Sequence, residues 1–184
     1  DTAKADIQAL LQDSRRVNQR EPWEKLAAEF QDIYKADPAW PNRPAALFRA
    51  AECLEDLARR SFARSDAQKA VTVYTAVADR HAASRLADDA LFRAARLSAA
   101  WLKDDAGALT LLARLKSQYP RGDMLPQALA LEKALRASAE GRTAPEARQA
   151  AAANAAPDVD AAAAPAESRS TPPAAQSATP SAPA

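Results

Sequence analysis

The residues of this chain best suited to chemistry are charged side chains at matching positions of a repeated segment. Arg49 and Glu52 stand three residues apart, and Asp89, Arg93 and Arg96 follow further along the chain. Helical periodicity puts these five side chains on the face opposite the apolar positions of their helices. Arginines in register bind carboxylates by paired hydrogen bonds, so this face predicts a binding site for a peptide carboxylate or an acidic segment.

The same residues also fit an interpretation that needs no partner. Arg49 with Glu52, and Asp89 with Arg93, have the three- and four-residue separations at which side chains pair along one helix. Exposed pairs of this kind contribute only about 0.3–0.5 kcal/mol each. Both interpretations follow from the sequence.

The residue types argue against catalysis. A catalytic zinc site takes about three protein ligands, usually with more than one His, and this chain has one His, His81, and one Cys, Cys53. His81 is predicted in the last turn of a helix as a partly cationic side chain, and Cys53 as a small buried hydrophobe. The Asp pairs at 88–89 and 104–105 are predicted to cap helix starts. We therefore expect no catalytic residue, no metal site and no cofactor in this chain.

Charge and hydropathy exclude two classes of partner. The chain has 25 basic and 24 acidic residues, so it lacks the basic excess that binding to nucleic acid requires. No apolar run approaches the roughly 20 residues that span a bilayer, so we expect no transmembrane segment. The first residue is Asp1, with no apolar leader, which fits a mature exported protein and a trimmed chain equally well. The sequence assigns no oligomeric state.

Composition changes near residue 140. From 141 to 184 Ala and Pro dominate, and Val159 is the only large apolar residue. Such a segment buries too little apolar surface to offset the entropy of ordering it. We predict a helical-repeat domain at residues 1–140 and a disordered, Ala/Pro-rich linker or tail at 141–184.

A repeated string gives the architecture of the first part. Residues 46–51, ALFRAA, return unchanged at 90–95, which is a period of 44 residues. Apolar residues recur three and four apart and glycine is almost absent, so we predict helix throughout. The predicted helices are residues 3–19, 22–36, 43–63, 66–80, 85–102, 106–118 and 124–139. Short links favour antiparallel hairpins, and Ser65 with Gln68 predicts a capping box at one helix start.

Aligning the hairpins on their closing turns at Pro38, Ala82 and Pro120 gives a second spacing of 38 residues. Large apolar residues and small alanines then fall at matching positions. The aligned residues are Phe30, Tyr74 and Leu112 before the turns, and Ala46, Ala90 and Ala128 after them. This recurrence predicts helices that interlock.

These positions resemble the tetratricopeptide repeat family. The shared features are a small and then a large apolar residue early in the first helix, Ala70 or Ala108 early in the second, and Pro at the closing turn. The spacings of 44 and 38 residues exceed the usual repeat of the family, which implies first helices longer by about one to two turns. Ala82 replaces Pro in one turn.

The resemblance implies an all-α fold, namely a tetratricopeptide-like stack of about three antiparallel helical hairpins plus a capping helix. It also implies a groove lined by the first helix of each hairpin, with the charged residues named above inside it. A closed helical bundle, in which the first and last helices touch, is the alternative.

A narrower resemblance covers residues 20–135. The order of a helix containing Trp23, a helix at 45–57, a Ser65–Asp66 cap, a turn at 86–91 and an Ala/Pro tail is similar to the N-terminal region of certain periplasmic N-acetylmuramoyl-L-alanine amidases. The resemblance implies a periplasmic, non-catalytic module that positions or recruits a peptidoglycan hydrolase, with the zinc hydrolase domain downstream. Its partner would be a protein or peptide of the cell envelope. A free-standing periplasmic adaptor and a hydrolase in its own right are the competing hypotheses.

Overall fold

The computed structural model describes residues 2–154, with the side chains of residue 3 and residues 5–141. This part of the chain contains seven α-helices, one π-helical turn and no strand, so the predicted all-α class is confirmed. The helices are α1 Thr2–Gln12, α2 Arg20–Ala36, α3 Arg43–Ser61, α4 Arg64–Arg80, α5 Ala87–Leu97, α6 Asp105–Gln118 and α7 Leu125–Asn154. The π-helical turn, Ser98–Leu102, extends α5.

Two kinds of link alternate between the helices. From α2 onward, links of two residues, 62–63 and 103–104, connect the two helices of one hairpin. Links of six residues, 37–42, 81–86 and 119–124, contain the closing turns and join one hairpin to the next. Both short links begin with a residue at φ 53°, Phe62 or Lys103. This left-handed conformation commonly ends a helix and turns the chain. The hairpins α3–α4 and α5–α6 are therefore successive repeats, and α7 begins another.

The three six-residue links share one pattern of backbone hydrogen bonds. The equivalent N–H donors and C=O acceptors are Trp40 to Asp37, Ser84 to His81 and Gly122 to Tyr119. These donors lie 44 and 38 residues apart, which confirms both repeat spacings predicted from the sequence.

Each helix packs chiefly on its neighbours in sequence, from α1 on α2 to α5 on α6. All six residues aligned in the sequence, from Phe30 to Ala128, are buried. Alanine on one helix opposite a large side chain on the next allows close approach of the two backbones. From α1 to α6 the packing is thus that of a stack of hairpins.

The predicted end of α1 is wrong because a side chain competes for the backbone. α1 ends at Gln12 rather than 19, and the Asp13 carboxylate then accepts the N–H groups of Arg15 and Arg16. Such bonds offer the chain an alternative to helix. The chain re-enters helix at Arg20, where α2 begins.

The capping box predicted at Ser65 and Gln68 is not formed. α4 begins at Arg64, so Ala63 is the N-cap and no side chain caps the helix. The acidic residue of the first turn is Asp66, whose carboxylate accepts a hydrogen bond from the Ser61 hydroxyl at 2.6 Å. A side-chain bond to the preceding helix thus takes the place of the local cap.

α7 extends beyond its predicted end at 139 and continues to Asn154. The segment is rich in Ala, the residue of highest helix propensity. The chain divides into two units, Asp1–Pro145 and Glu146–Ala184. The predicted tail at 141–184 begins inside α7, and its residues 155–184 lie outside the described residues. The assignment of a domain at 1–140 and a tail at 141–184 stays a prediction.

Candidate protein-interaction site

One buried carboxylate, Glu55 of α3, organises the charged face of the repeats. Glu55 is 2% exposed. It accepts hydrogen bonds from the Tyr74 hydroxyl at 2.7 Å, from Arg96 at 2.8 Å and from Arg93 at 3.2 Å. Arg59, four residues along α3, also pairs with it. Three guanidiniums and a phenol therefore meet on one carboxylate and connect α3 to α4 and α5.

These contacts keep Glu55 charged despite its burial. Burial opposes the carboxylate, but the Tyr74 hydroxyl and the three arginines together hold the pKa of Glu55 below its ordinary value. Burial, and then the charge of Glu55, raises the pKa of Tyr74. Tyr74 therefore stays protonated and donates its hydroxyl hydrogen at neutral pH.

A second carboxylate, Glu52, joins the two arginines that recur between repeats. Arg49 lies 2.6 Å from Glu52 within α3, and Arg93 reaches Glu52 from α5 at 3.3 Å. The Arg93 guanidinium also lies over the ring of Phe48, 5.4 Å from its centroid, and over that of Tyr74, at 5.9 Å. Arg93 is thus held by two carboxylates and two rings.

Four of the five predicted site residues come together in this way, namely Arg49, Glu52, Arg93 and Arg96. We call these four residues, with Glu55 and Arg59, the arginine cluster. The pair predicted within α3, Arg49 with Glu52, is present. The pair predicted within α5, Asp89 with Arg93, is not formed: Arg93 instead pairs across helices with Glu52 and Glu55 of α3.

Asp89 lies instead in a groove beside the turns at 82–89 and 118–123, together with Asp88 and Asp123. Burial, and then Asp123 and Asp88, raises the pKa of Asp89. Burial and a hydrogen bond with Asp123 raise the pKa of Asp88. A Cβ at Gly122 would lie 2.4 Å from Asp88 Oδ2, so a larger residue there would require the Asp88 carboxylate to shift. Two arginines also line this groove, so its three carboxylates leave it weakly acidic, in contrast to the arginine cluster.

The arginine cluster has four cations and two anions. The side chains of Arg49 and Arg96 remain 48% and 44% exposed, so parts of both guanidiniums face solvent although each already holds a carboxylate. Guanidinium has five N–H donors, and those left free are suited to a further carboxylate. The cluster can therefore bind an acidic segment without breaking its own pairs.

The sequence pattern did not identify Glu55, Tyr74 and Arg59 as parts of the site. A signal existed for Glu55, since it stands between Ala51 and Ala58 in the apolar stripe of α3, where a carboxylate must be paired. Its main partners lie in other helices, up to 41 residues away, and spacing along one helix does not identify them.

His81 does not have the partly cationic character that was predicted. It ends α4, and its ring Nε2 lies 3.3 Å from the Tyr34 hydroxyl, with the two rings edge to face. Burial, and then the charges of Arg43 and Arg80, lowers the pKa of His81. The neutral imidazole is therefore the favoured form, because cations and partial burial outweigh the helix terminus.

The other residues considered for chemistry have structural roles. Cys53 is buried, and burial raises its pKa to about 12, which confirms the prediction of a buried small hydrophobe. Asp104 caps α6 by accepting the N–H of Gly107 at 2.8 Å.

In the part of the chain that the structure describes, no three His, Cys, Asp or Glu side chains converge as metal ligands. Among the described helices, none is long and apolar enough to cross a bilayer.

Comparison with known proteins identifies one repeat. Residues 89–122 match the family model of the tetratricopeptide repeat. The match covers almost all of α5, the π-helical turn, α6 and the start of the following link. No curated protein and no solved structure matches the chain. Together with the helical stack, the match shows that the chain contains a tetratricopeptide-like region, a type of repeat that serves for protein binding.

Proposed function

We propose that this chain is a non-catalytic protein-interaction module whose arginine cluster binds an acidic segment of its partner. The observation that carries the proposal is the sharing of Glu52 by Arg49 and Arg93, which joins matching positions of two repeats into one cationic surface. A repeat stack presents such a surface without needing a catalytic site. The module needs no cofactor.

The finer part of the proposal concerns where the module works. We propose that it belongs to a periplasmic N-acetylmuramoyl-L-alanine amidase, where it positions or recruits the zinc hydrolase domain. The support is the layout of residues 20–135 and the Ala/Pro-rich composition of residues 141–184, which is typical of linkers between domains. The partner would then be a protein or peptide of the cell envelope.

The arginine surface is tested with two exposed members of the cluster. Replacing Arg49 and Arg96 by Ala leaves Glu55 with Tyr74, Arg93 and Arg59, so we expect the fold to survive. We expect partner affinity to fall by about tenfold or more, the loss of one or two charge-assisted contacts. The measurement is capture from an envelope extract, followed by calorimetry with the purified partner.

Arg64→Ala is the matched control, because Arg64 is exposed and makes no ion pair among the described residues. Equal capture by wild type and the double variant would contradict the arginine surface.

The amidase assignment has a separate test: the reading frame should continue past residue 184 into His and Glu zinc ligands. A stop codon there would favour the free-standing adaptor, and peptidoglycan release by this chain alone would contradict a non-catalytic role.

A further inference from the structure

An apolar pocket lies beside the arginine cluster, among α1, α2, the start of α3 and the link at 81–86. Its volume is about 600 Å³, and its walls include the rings of Phe30, Trp40 and Phe48. Arg49 and Arg85 stand at its edge. We call this cavity the Trp40 pocket.

The turn itself does not require the Trp40 side chain. Trp40 occupies the same position in its turn as Ser84 and Gly122 do in theirs, with the same backbone hydrogen bond. The turn therefore forms with a small residue at this position. The Trp40 ring packs against the core but is only partly buried, so part of its aromatic surface faces the pocket and solvent.

Arg85 is also unexplained by the fold. Its counterparts in the other two turns are Pro41 and Asp123, so a cation is not needed at this position. Within the described residues Arg85 makes no ion pair and no side-chain hydrogen bond, although it borders the Trp40 pocket. Arg49, at the same edge, is balanced by Glu52. Among the described residues, Arg85 is therefore the arginine at this edge that has no ion pair of its own.

The surroundings limit the charge that a ligand can have. On the other side of Arg85 is the groove lined by Asp88, Asp89 and Asp123 and by one further cation, Arg121. Because its three carboxylates outnumber that arginine, the groove would repel a long run of carboxylates that extended past Arg85. A ligand with one apolar side chain and one neighbouring carboxylate satisfies the apolar walls and Arg85 together.

We propose that the Trp40 pocket binds a phenylalanine or leucine side chain of the partner, from a segment in which a single Asp or Glu stands next to that side chain. The carboxylate pairs with Arg85 and lies near Arg49. This inference rests on the proposed function as an interaction module and specifies the segment that the module recognises.

Four peptides of equal length test the two halves of the motif. The parent is acetyl-Gly-Ser-Asp-Phe-Gly-Ser-amide, and the others replace Asp by Asn, Asp by Lys, or Phe by Ser. Affinities for the full chain are measured by ¹⁵N NMR titration. We expect the change from Phe to Ser to weaken binding about tenfold or more, from the loss of a buried ring. We expect Asn to weaken binding several-fold, and Lys more than Asn.

Variants of the chain assign the effects to the pocket. Arg85→Ala should remove the difference between the Asp and Asn peptides, as a double-mutant cycle requires if the pair exists. Ala45→Glu places a carboxylate in the pocket lining and should weaken binding of the Asp–Phe peptide about tenfold or more. Ala45→Gln adds a side chain of similar size without the charge, so it separates the effect of size from that of charge. Ala45→Glu should fold, because the next repeat has Asp89 at the equivalent position. Arg64→Ala should change nothing.

Equal binding of the Phe and Ser peptides would overturn the pocket. So would an Asp-to-Asn difference that persists in Arg85→Ala. These failures are distinguishable from failure of the module itself: partner capture that survives Ala45→Glu but is lost in the Arg49 and Arg96 double variant rejects the pocket and keeps the arginine surface.

Discussion

At the scale of single residues, the stability of the charged face depends on Glu55. A buried carboxylate with several partners contributes little compared with an apolar residue of the same shape, but its removal leaves those partners uncompensated. Tyr74, with its hydroxyl bonded to Glu55 in the core, and Arg93, which is half-buried, would both lose a charged acceptor. The loss of stability on deleting Glu55 therefore comes from the neighbouring groups that are left without their acceptor.

We expect Glu55→Ala to lower the free energy of unfolding by about 3–5 kcal/mol, the range for breaking a buried pair. Glu55→Gln should cost less, since the amide oxygen still accepts a hydrogen bond. Glu24→Ala is the control: Glu24 forms an exposed pair with Arg20, and its loss should cost within about 1 kcal/mol. Urea unfolding followed by circular dichroism measures all three. An effect of Glu55→Ala as small as that of Glu24→Ala would contradict the central role of Glu55.

Arg93 and Arg49 are not equivalent, although their sequence positions match. Arg93 is held by buried Glu55 and by two aromatic rings, whereas Arg49 has one exposed pair with Glu52. Replacement of Arg93 therefore tests folding, and replacement of Arg49 tests binding. The sequence predicts equal roles for the two arginines because it shows that they stand at matching positions of the repeats. It does not show how deeply their partner carboxylates are buried.

At the scale of elements, the hairpin turns contain strain that can be removed. Lys103 has φ 53° directly after the π-helical turn, and its side chain is exposed. A left-handed conformation costs a residue other than glycine roughly 1–2 kcal/mol. Phe62 is in the same conformation at the equivalent turn, but its ring contacts Trp101, with centroids 5.9 Å apart.

We expect Lys103→Gly to raise the free energy of unfolding by about 0.5–1 kcal/mol, because the relief of strain exceeds the added entropy of the unfolded chain. A chain of this size should then melt about 1–4 °C higher. Lys103→Ala keeps the strain and serves as the control. Phe62→Gly should gain less than Lys103→Gly, since it also loses the contact with Trp101. A lower melting temperature for Lys103→Gly than for Lys103→Ala would show that the turn is not strained.

Sequence periodicity predicts the number of helices and the repeat spacings because both follow from local apolar patterns. It does not predict the π-helical turn at Ser98–Leu102, since the same residues fit an α-helix equally well. It also misplaces the end of α1, where the Asp13 side chain competes with the helix. The errors lie where a tertiary contact or a side-chain bond decides between two local conformations of similar energy.

At the scale of the whole molecule, ion pairs connect helices that are not adjacent in sequence. Arg20 of α2 makes a bidentate pair with buried Asp66 of α4, at 2.9 and 2.6 Å, and Arg114 of α6 reaches Asp79 of α4 at 2.6 Å. In a stack whose packing is between neighbours, such pairs connect one hairpin to the next. Spacing within single helices predicts none of them, which is why the sequence identifies most residues of the arginine cluster but not their partners.

The links between hairpins are connected as well, and one of these connections contains the titratable side chain of His81. His81 begins the link at 81–86 and contacts Tyr34, which lies just before the link at 37–42. Arg43 also lies over the Tyr34 ring, 4.1 Å from its centroid. Protonation of His81 would therefore place a third cation beside Arg43 and Arg80, where burial already disfavours it.

The sign of the resulting pH dependence follows from the direction of the shift. The folded chain holds the pKa of His81 below its ordinary value of 6.5. The contribution of His81 to the free energy of unfolding is therefore complete above pH 6.5 and is lost as the pH falls below that value. We expect the free energy of unfolding of the wild type to decrease from pH 7.5 to 5.5, relative to that of His81→Gln. Urea unfolding at several pH values, on both chains in one buffer series, makes the comparison. Asp88 and Asp89, whose pKa values are raised, act in the opposite direction at lower pH and are common to both chains, so they cancel in the difference. A difference that is constant with pH, or that favours the wild type as the pH falls, would show that the imidazole is not held neutral between the two turns.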